Sequence, residues 1–158
     1  MLKRQANIKD LMILNGTFNY QFQIRNTFVL FENVILGISK STKKIRHIYI
    51  NDKLIATIRP SDGFLIFNIE GAEYIKKKLK TLPKKVVVSK IVQQILKKSS
   101  IIPAKYIVDA DQNIYPEDEV FIVDEENQIL ATGKAILTSY EMKNSRTGIA
   151  VKVRHKKK

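Results

Sequence analysis

The 158-residue chain contains no cysteine and has two histidines, His47 and His155. Without cysteine it has no disulfide, no thiol nucleophile and no thiolate ligand for zinc. Two histidines alone make a poor zinc site. No serine and histidine stand in the pattern that a Ser-His-Asp site requires, and no G-x-S-x-G motif occurs. These absences argue against nucleophilic and zinc-dependent catalysis.

Motifs for nucleotides, membranes and export are also missing. Neither a Walker motif nor a G-x-G-x-x-G motif occurs, so the sequence predicts no nucleotide cradle. No apolar run approaches the roughly 18 residues of a membrane span, and the first ten residues have no apolar signal core. The acidic runs 117–119 and 124–126 could form a carboxylate pair or a metal site, but we predict that each is a solvated turn beside a strand. We therefore expect a cytoplasmic protein with no cofactor, no metal ion and no membrane partner.

The charge of the chain is strongly positive and unevenly distributed. The 28 lysines and arginines and the 15 acids give a net charge of +13. Eight acids lie between Tyr106 and Gly133, a window without lysine or arginine, so the seven other acids leave a net charge of +21 outside it. Segregated charge produces a field that a polyanion can feel, which favours nucleic acid as a partner. A lysine-rich solubilising surface is the alternative.

The first half of the chain predicts a small α+β domain. Short apolar runs at 11–14, 18–22 and 27–36 fit either strands or turns of helix. The pattern becomes clearer after residue 44. Runs of β-branched residues flank turn residues, which is typical of a hairpin. They are followed by an amphipathic segment with lysines on its polar side, which is typical of a surface helix. We predict strands at 45–50, 54–58 and 64–69, the first two forming a hairpin, and a helix at 71–80.

The second half predicts a small β-barrel after a boundary at Pro83, which cannot continue a helix. The predicted domains are residues 1–82 and 83–158. A strand over 84–88 is followed by a helix over 90–98, capped by Ser89. Further strands are predicted at 104–108, 119–123, 128–137 and 149–154, before a disordered lysine tail at 156–158. Short strands at this spacing are typical of a barrel with one or two covering helices, and the predicted fold class is α+β.

Three segments of the second half resemble the PUA family, in the order and spacing of that family. Residues 109–124 (DADQNIYPEDEVFIVD) resemble its central stretch, 129–135 (ILATGKA) the following strand, and 148–155 (GIAVKVRH) the final strand. The resemblance covers about residues 84–158. It implies a PUA-type β-barrel that binds RNA.

The first half extends the resemblance. Residues 39–63 and the aromatic segment 18–22 resemble the small α+β domain that precedes PUA in archaeal tRNA-guanine transglycosylases, which install the deazaguanine precursor of archaeosine in tRNA. The catalytic part of those enzymes is a barrel with a cysteine-rich zinc site, for which this chain has neither the length nor the cysteines.

The resemblance therefore implies a non-catalytic tRNA-binding protein that holds the acceptor stem and CCA end. It would act with a separate catalytic transglycosylase subunit or another enzyme of the archaeosine pathway. The alternative is a ribosome- or translation-associated factor, because such factors also place PUA after a small α+β domain.

PUA domains hold RNA between their first helix and the neighbouring barrel strands, and the resemblance carries this role to eight positions. These are Lys97, Lys98 and Ser99 at the helix-to-strand turn, Gly133 and Lys134 at a Gly-Arg step of the family, and Lys152, Arg154 and His155 on or after the last strand. Ser99 and Glu117 stand where the family has glycine. Gly133 as a close-packing glycine and Lys134 as an ordinary surface lysine are open alternatives.

Overall fold

A five-stranded antiparallel sheet forms the first of two compact units, Met1–Lys80 and Thr81–Lys158. The computed structural model describes residues 1–25 and 31–158. The strands of the first unit pair in chain order: β1 (Leu2–Gln5), β2 (Ile35–Ile38), β3 (Ile45–Ile50), β4 (Lys53–Ile58) and β5 (Leu65–Phe67). The predicted hairpin is confirmed as β3 and β4. Its turn residues Asn51 and Asp52 have positive φ values of 51° and 64°, as a two-residue turn between twisted strands requires.

Two helices, α1 (Ile8–Phe22) and α2 (Ile69–Leu79), belong to this first unit. The predicted helix at 71–80 is confirmed as α2. Helix α1 joins two apolar runs whose structure the sequence left open, because Leu14, Phe18 and Phe22 recur every four residues and all become buried. The apolar stretch 27–36 ends in β2, and its residues 27–30 lie outside the described part of the chain.

Aromatic packing dominates the core of the first unit. The ring of Phe18 lies 4.8, 5.9 and 5.8 Å from those of Phe22, Phe31 and Phe67, measured between centroids. Helix α2 approaches β4 so closely that a Cβ at Gly71 would collide with the backbone oxygen of Ile55. A side chain at position 71 would therefore push the helix away from the sheet.

The buried side chain of Gln21 on α1 makes two hydrogen bonds to β5. Its amide nitrogen donates to the backbone oxygen of Leu65 at 2.8 Å, and its amide oxygen accepts from the backbone N–H of Leu65 at 2.7 Å. Both polar groups of a buried amide are thus satisfied, as burial requires.

The second unit is a curled six-stranded half-barrel. Its strands are β6 (Lys85–Val88), β7 (Ile101–Pro103), β8 (Ile107–Ala110), β9 (Glu119–Val123), β10 (Ile129–Ala135) and β11 (Ile149–Lys156). They follow the order β7-β11-β10-β9-β6-β8, and β6 pairs with β9 in parallel. The core is aliphatic and includes Val86, Val92, Ile122 and Val151. The mixed α+β class that the sequence predicts is confirmed.

Helices α3 (Ile91–Leu96) and α4 (Ser139–Asn144) complete the second unit. The prediction that Ser89 caps α3 is wrong: the helix begins after Lys90 and has no side-chain cap. The backbone of Ser89 is used instead, its N–H donating to Tyr106 and its oxygen accepting from Val92. Helix α4 was not predicted, although Thr138 and Glu141 form the capping box that marks its start.

Two further predictions for the second unit are corrected. Residues 104–106 form a turn of 3₁₀ helix rather than the start of a strand, and β8 begins at Ile107. The lysine tail is not disordered throughout, because Lys156 belongs to β11 and the backbone N–H of Lys157 donates to Leu130 at 2.9 Å. Within the ranges that the structure describes, no helix is long and apolar enough to cross a membrane.

Candidate nucleic-acid interface

The turn between α3 and β7 lies directly beside β11. The backbone N–H of Val153 donates to the backbone oxygen of Ser100 at 2.7 Å, and Lys152 pairs with Ile101. The turn residues Lys97 and Lys98 are exposed. The pairing therefore brings the helix-to-strand turn next to the last strand.

Ser99 closes this turn with its own hydrogen bonds. Its N–H donates to the backbone oxygen of Ile95 at 2.9 Å, and its hydroxyl accepts from the N–H of Ile101 at 3.1 Å. Ser99 is not among the described residues with positive φ. This backbone conformation is open to any residue, so serine replaces the glycine of the family without strain.

Gly133 packs against the backbone of β11. A Cβ at this position would lie 2.6 Å from the backbone oxygen of Lys152, and the pairing of β10 with β11 shifts register between Thr132 and Gly133. The strand thus occupies the space that a side chain would fill. This geometry favours the close-packing alternative for Gly133.

A row of charged residues crosses the strands β9, β10 and β11. Lys134 on β10 pairs with Glu119 on β9 and with Lys152 on β11. The Nζ atom of Lys134 lies 3.4 Å from a carboxylate oxygen of Glu117. Glu117 holds a positive φ of 77° at the turn where the family has glycine. In the free protein, Lys134 is therefore already paired with a carboxylate.

Arg154 is tied to Glu119 by a two-pronged ion pair. Its Nε and Nη2 atoms donate to the two carboxylate oxygens of Glu119 at 2.9 and 3.0 Å. The side chain of Glu119 is only 6% exposed, whereas that of Arg154 is 32% exposed. A buried carboxylate needs such a partner, so Arg154 has a structural role whether or not it also contacts RNA.

The prediction that both acidic runs are solvated turns is wrong for Glu119 and Asp124, which are buried. Asp124 accepts the backbone N–H groups of Glu126 and Gln128, each at 2.9 Å. This carboxylate shapes the turn between β9 and β10. The other acids of the two runs are exposed or partly exposed.

A cleft of about 670 Å³ lies beside this turn. Its volume is within the range of sites that hold small ligands. Helix α3, the β9–β10 turn and the end of β11 line it, with Lys97, Lys156, Lys157 and Lys158 among the lining residues. We call these four residues the cleft lysines. Two acids also line the cleft: Asp124 accepts the backbone N–H groups of Glu126 and Gln128, and Glu126 is paired with Lys90 at 3.3 Å. No side-chain carboxylate of the described residues forms an ion pair with the cleft lysines.

His155 follows Arg154 on β11 and pairs with Thr132. Burial and the neighbouring charge of Arg154 lower the pKa of His155 from its usual value of 6.5. The imidazole is therefore neutral at pH 7 and acts there as a hydrogen-bonding group rather than as a cation.

The predicted site residues thus differ in their surroundings. Lys97, Lys98 and Lys152 have no carboxylate partner among the residues that the structure describes, whereas Lys134 and Arg154 do. Sequence reasoning missed the ordered lysines 156 and 157. The sequence carries no local signal for them, because the apolar-polar alternation of β11 ends at Arg154 and every residue after it is a histidine or a lysine.

Family models match nearly the whole chain. Residues 14–81 match patch-forming domain C2 of tRNA-guanine transglycosylase, and residues 84–157 match the PUA domain. The chain is thus a two-domain protein of the PUA class, in which the half-barrel is the PUA domain. Taken together, its two domains are those of the C-terminal region of tRNA-guanine(15) transglycosylases.

The relatives agree with this assignment. The chain is 38% identical to the tRNA-guanine(15) transglycosylase of Methanosphaera stadtmanae over 98% of its length, and 38% identical to that of Methanothermobacter thermautotrophicus over 95%. In both comparisons it spans only 23% of the relative. The similarity therefore concerns one region of a much longer enzyme.

Solved structures share the complete fold. A hypothetical protein from Pyrococcus horikoshii is 26% identical, with a TM-score of 0.75 over 98% of this chain and 94% of that one. A conserved PUA domain protein from Thermoplasma acidophilum, 19% identical, has a TM-score of 0.70 over 98% and 93% of the two chains. The arrangement of a small α+β domain followed by PUA thus also occurs in proteins of this size.

Proposed function

We propose that the chain is a non-catalytic tRNA-binding protein that serves a tRNA-guanine transglycosylase reaction. The observation that carries the proposal is the group of lysines without carboxylate partners around the α3–β7 turn and the cleft of the PUA domain. Such lysines can bind RNA phosphates and displace the counterions of the RNA, and no ion pair with a protein carboxylate has to break first. The relatives point to tRNA as the polyanion.

In this proposal, RNA lies along the α3–β7 turn, β11 and the neighbouring part of β10. Lys97, Lys98 and Lys152 contact phosphates, while Ser99 and the neutral His155 offer hydrogen bonds to ribose or phosphate. Lys134 and Arg154 contribute a weaker field because Glu117 and Glu119 face them. Side chains cannot read the deep groove of A-form RNA, so the contacts recognise shape, phosphates and 2′-hydroxyl groups.

The proposed ligand is the acceptor stem and CCA end of tRNA, and the proposed location is the cytoplasm. The cleft has room for an unstacked terminal nucleotide next to the cleft lysines. We further propose residues 1–82 and 83–158 as the two domains. We also propose that a separate catalytic transglycosylase subunit, or another enzyme of the archaeosine pathway, carries out the catalytic step.

A ribosome-associated role is the competing function, and the bound RNA separates the two. Crosslinking the tagged chain to RNA in its native cells and sequencing that RNA should recover tRNA, with crosslinks in the acceptor arm. Recovery of ribosomal RNA without tRNA would contradict the proposal.

The position on tRNA is tested with purified components. The chain should bind a full tRNA transcript more tightly than the same transcript lacking its CCA end, and the affinity should fall steeply with salt. Equal affinities for the two transcripts would overturn the acceptor-end assignment. Guanine exchange catalysed by the isolated chain would overturn the non-catalytic role.

A further inference from the structure

The outward side of α1 displays a row of large apolar side chains. Ile8, Met12, Ile13 and Tyr20 are 78%, 70%, 58% and 74% exposed. They lie along 13 residues of helix, a span of about 18 Å at 1.5 Å per residue. Single exposed apolar residues are ordinary, but a row of this kind marks a surface that another molecule covers. We call these four residues the α1 apolar face.

The helix that carries this face is firmly held. Its inner side buries Leu14, Phe18 and Phe22 in the aromatic core. Its start is fixed by a capping box between Asn7 and Asp10, and Arg4 on β1 donates to Asp10 at 2.6 Å. The exposed apolar groups are therefore presented by a well-anchored helix, which lowers the entropy cost of binding a partner.

The composition of α1 fits a protein partner better than RNA. The helix has only two charged residues, Lys9 and Asp10, whereas the unit around it has fourteen basic and six acidic residues. A surface so poor in cations offers little to a phosphate backbone. Depletion of charge with exposed Tyr and Met is instead typical of the centre of protein interfaces.

Gly16 gives the face a shape that suits another helix. Residues 8, 12, 16 and 20 form one ridge of α1, because positions four apart are neighbours on a helix. A Cβ at Gly16 would find nothing within 4 Å. The ridge thus has a gap between Met12 and Tyr20 into which a side chain of a crossing helix can fit.

We infer that the α1 apolar face docks the catalytic part of a tRNA-guanine transglycosylase carried on a separate chain. This inference rests on the proposed function, which assigns the chemistry to another polypeptide. The relatives are more than four times as long as the region that this chain matches, so such a partner has extensive surface outside that region. We assign this partner to the α1 apolar face, and tRNA to the PUA domain as proposed above.

A crosslinking experiment identifies the occupant. The photoreactive amino acid benzoylphenylalanine replaces Met12 in the tagged full chain, which is expressed and irradiated in its native cells. Mass spectrometry should find a crosslink to a polypeptide with a transglycosylase catalytic domain. The same replacement at Gln94, an exposed position on α3, should not give this product. Crosslinks from position 12 to a second copy of this chain or to RNA, or none, would overturn the inference.

A charge substitution measures the contribution of the face. Met12→Glu should weaken binding of the purified crosslinked partner roughly tenfold or more, because the new carboxylate would be buried without a partner. Gln94→Glu adds the same charge to another exposed helix position and should leave binding unchanged. Both variants should keep the circular dichroism and melting temperature of the original chain, since position 12 is 70% exposed.

Affinity for tRNA separates this inference from the proposed function. Met12→Glu should bind tRNA as tightly as the original chain, because α1 lies outside the proposed RNA contacts. If the original chain fails to bind tRNA, the proposed function fails. If it binds tRNA and Met12→Glu still binds the catalytic chain with full affinity, only the docking surface is wrong.

Discussion

The PUA domain has two groups of basic side chains that differ in whether a carboxylate lies beside them. Lys134 and Arg154 on β10 and β11 face Glu117 and Glu119, whereas the cleft lysines have no carboxylate partner among the described residues. A cation that already holds a carboxylate gains less from a phosphate, because the first interaction must be given up or shared. We therefore expect the first group to contribute less to RNA binding than its charge suggests, and the second group to contribute more.

The largest expected effect is loss of tRNA binding when cleft lysines are neutralised. Lys97→Gln combined with Lys156→Gln should weaken binding roughly thirtyfold, about 1 kcal/mol for each lost charged contact. The salt slope should fall by about 0.7–0.9 per contact. Titration of labelled tRNA at several salt concentrations measures both quantities.

The matched control is a double variant that also removes two positive charges, but at positions outside the cleft. Lys105→Gln with Arg146→Gln removes two other exposed cations of the same domain, and neither of them forms an ion pair with a carboxylate of the described residues. An equal loss of affinity in this control would mean that only net charge matters. Lys134→Gln alone should cost less affinity than Lys97→Gln alone, and the reverse order would break the comparison between the two groups.

The next effect is on stability and concerns the ion pair of Arg154. Arg154→Ala should lower the free energy of unfolding by about 1–2 kcal/mol, because it leaves the buried carboxylate of Glu119 without its main partner. The denaturant midpoint of the full chain measures the change. Adding Glu119→Gln should recover part of the loss, since a neutral amide is less costly to bury. If Arg154→Ala is as stable as the original chain, this arginine is a surface cation after all.

A smaller effect is the pH dependence of binding through His155. Burial and Arg154 lower its pKa below 6.5, so the free protein takes up this proton only at lower pH. A bound phosphate favours the protonated imidazole, so tRNA binding should tighten by about threefold as the pH falls below 6.5. The rise should be absent in His155→Gln. The same rise in that variant would assign it to another group.

Falling pH has the opposite effect on the stability of the protein without RNA: it lowers stability, whereas it strengthens tRNA binding. The unfolded chain binds the His155 proton at a higher pH than the folded chain does, so this group lowers stability as the pH falls below 6.5.

The smallest effect comes from the turn that places a carboxylate near Lys134. Glu117→Gly should raise the free energy of unfolding by about 0.5 kcal/mol, because glycine adopts a φ of 77° without the strain that glutamate bears. It should also strengthen tRNA binding slightly by freeing Lys134. Glu125→Gly is the control, since Glu125 is not among the residues with positive φ, and glycine there should be destabilising. Melting temperatures compare the two variants.

Local patterns were sufficient for much of the fold. The β3–β4 hairpin could be predicted because β-branched runs flank a two-residue turn, and β9 because five consecutive residues suit a buried strand. Helix α1 could not be predicted in this way, because the aromatic residues at 18, 20 and 22 alternate as they would in a strand. Only their spacing of four residues from Leu14 indicates a helix. The parallel pairing of β6 with β9 depends on contacts more than thirty residues apart and leaves no local signal.

The candidate site divides in the same way. The basic residues and the groove between helix and last strand could be inferred from the resemblance to PUA domains. The partners of Lys134 and Arg154 could not, because only the folded sheet brings Lys134 to Glu117 and Arg154 to Glu119, 35 residues away. Burial of Glu119 and Asp124 is likewise a property of the folded sheet, and an acidic run by itself predicts exposure.

The two hydrogen bonds between Gln21 and Leu65 also limit the size of the N-terminal sheet. Strand β5 is the last strand in the sheet order, and the outward backbone groups of Leu65 are those that an incoming strand from another molecule would need. The side-chain amide of Gln21 already hydrogen-bonds to both of these groups. A sixth strand therefore cannot pair with Leu65. A single glutamine on a helix thus blocks the addition of a further strand at Leu65 on this edge of the sheet.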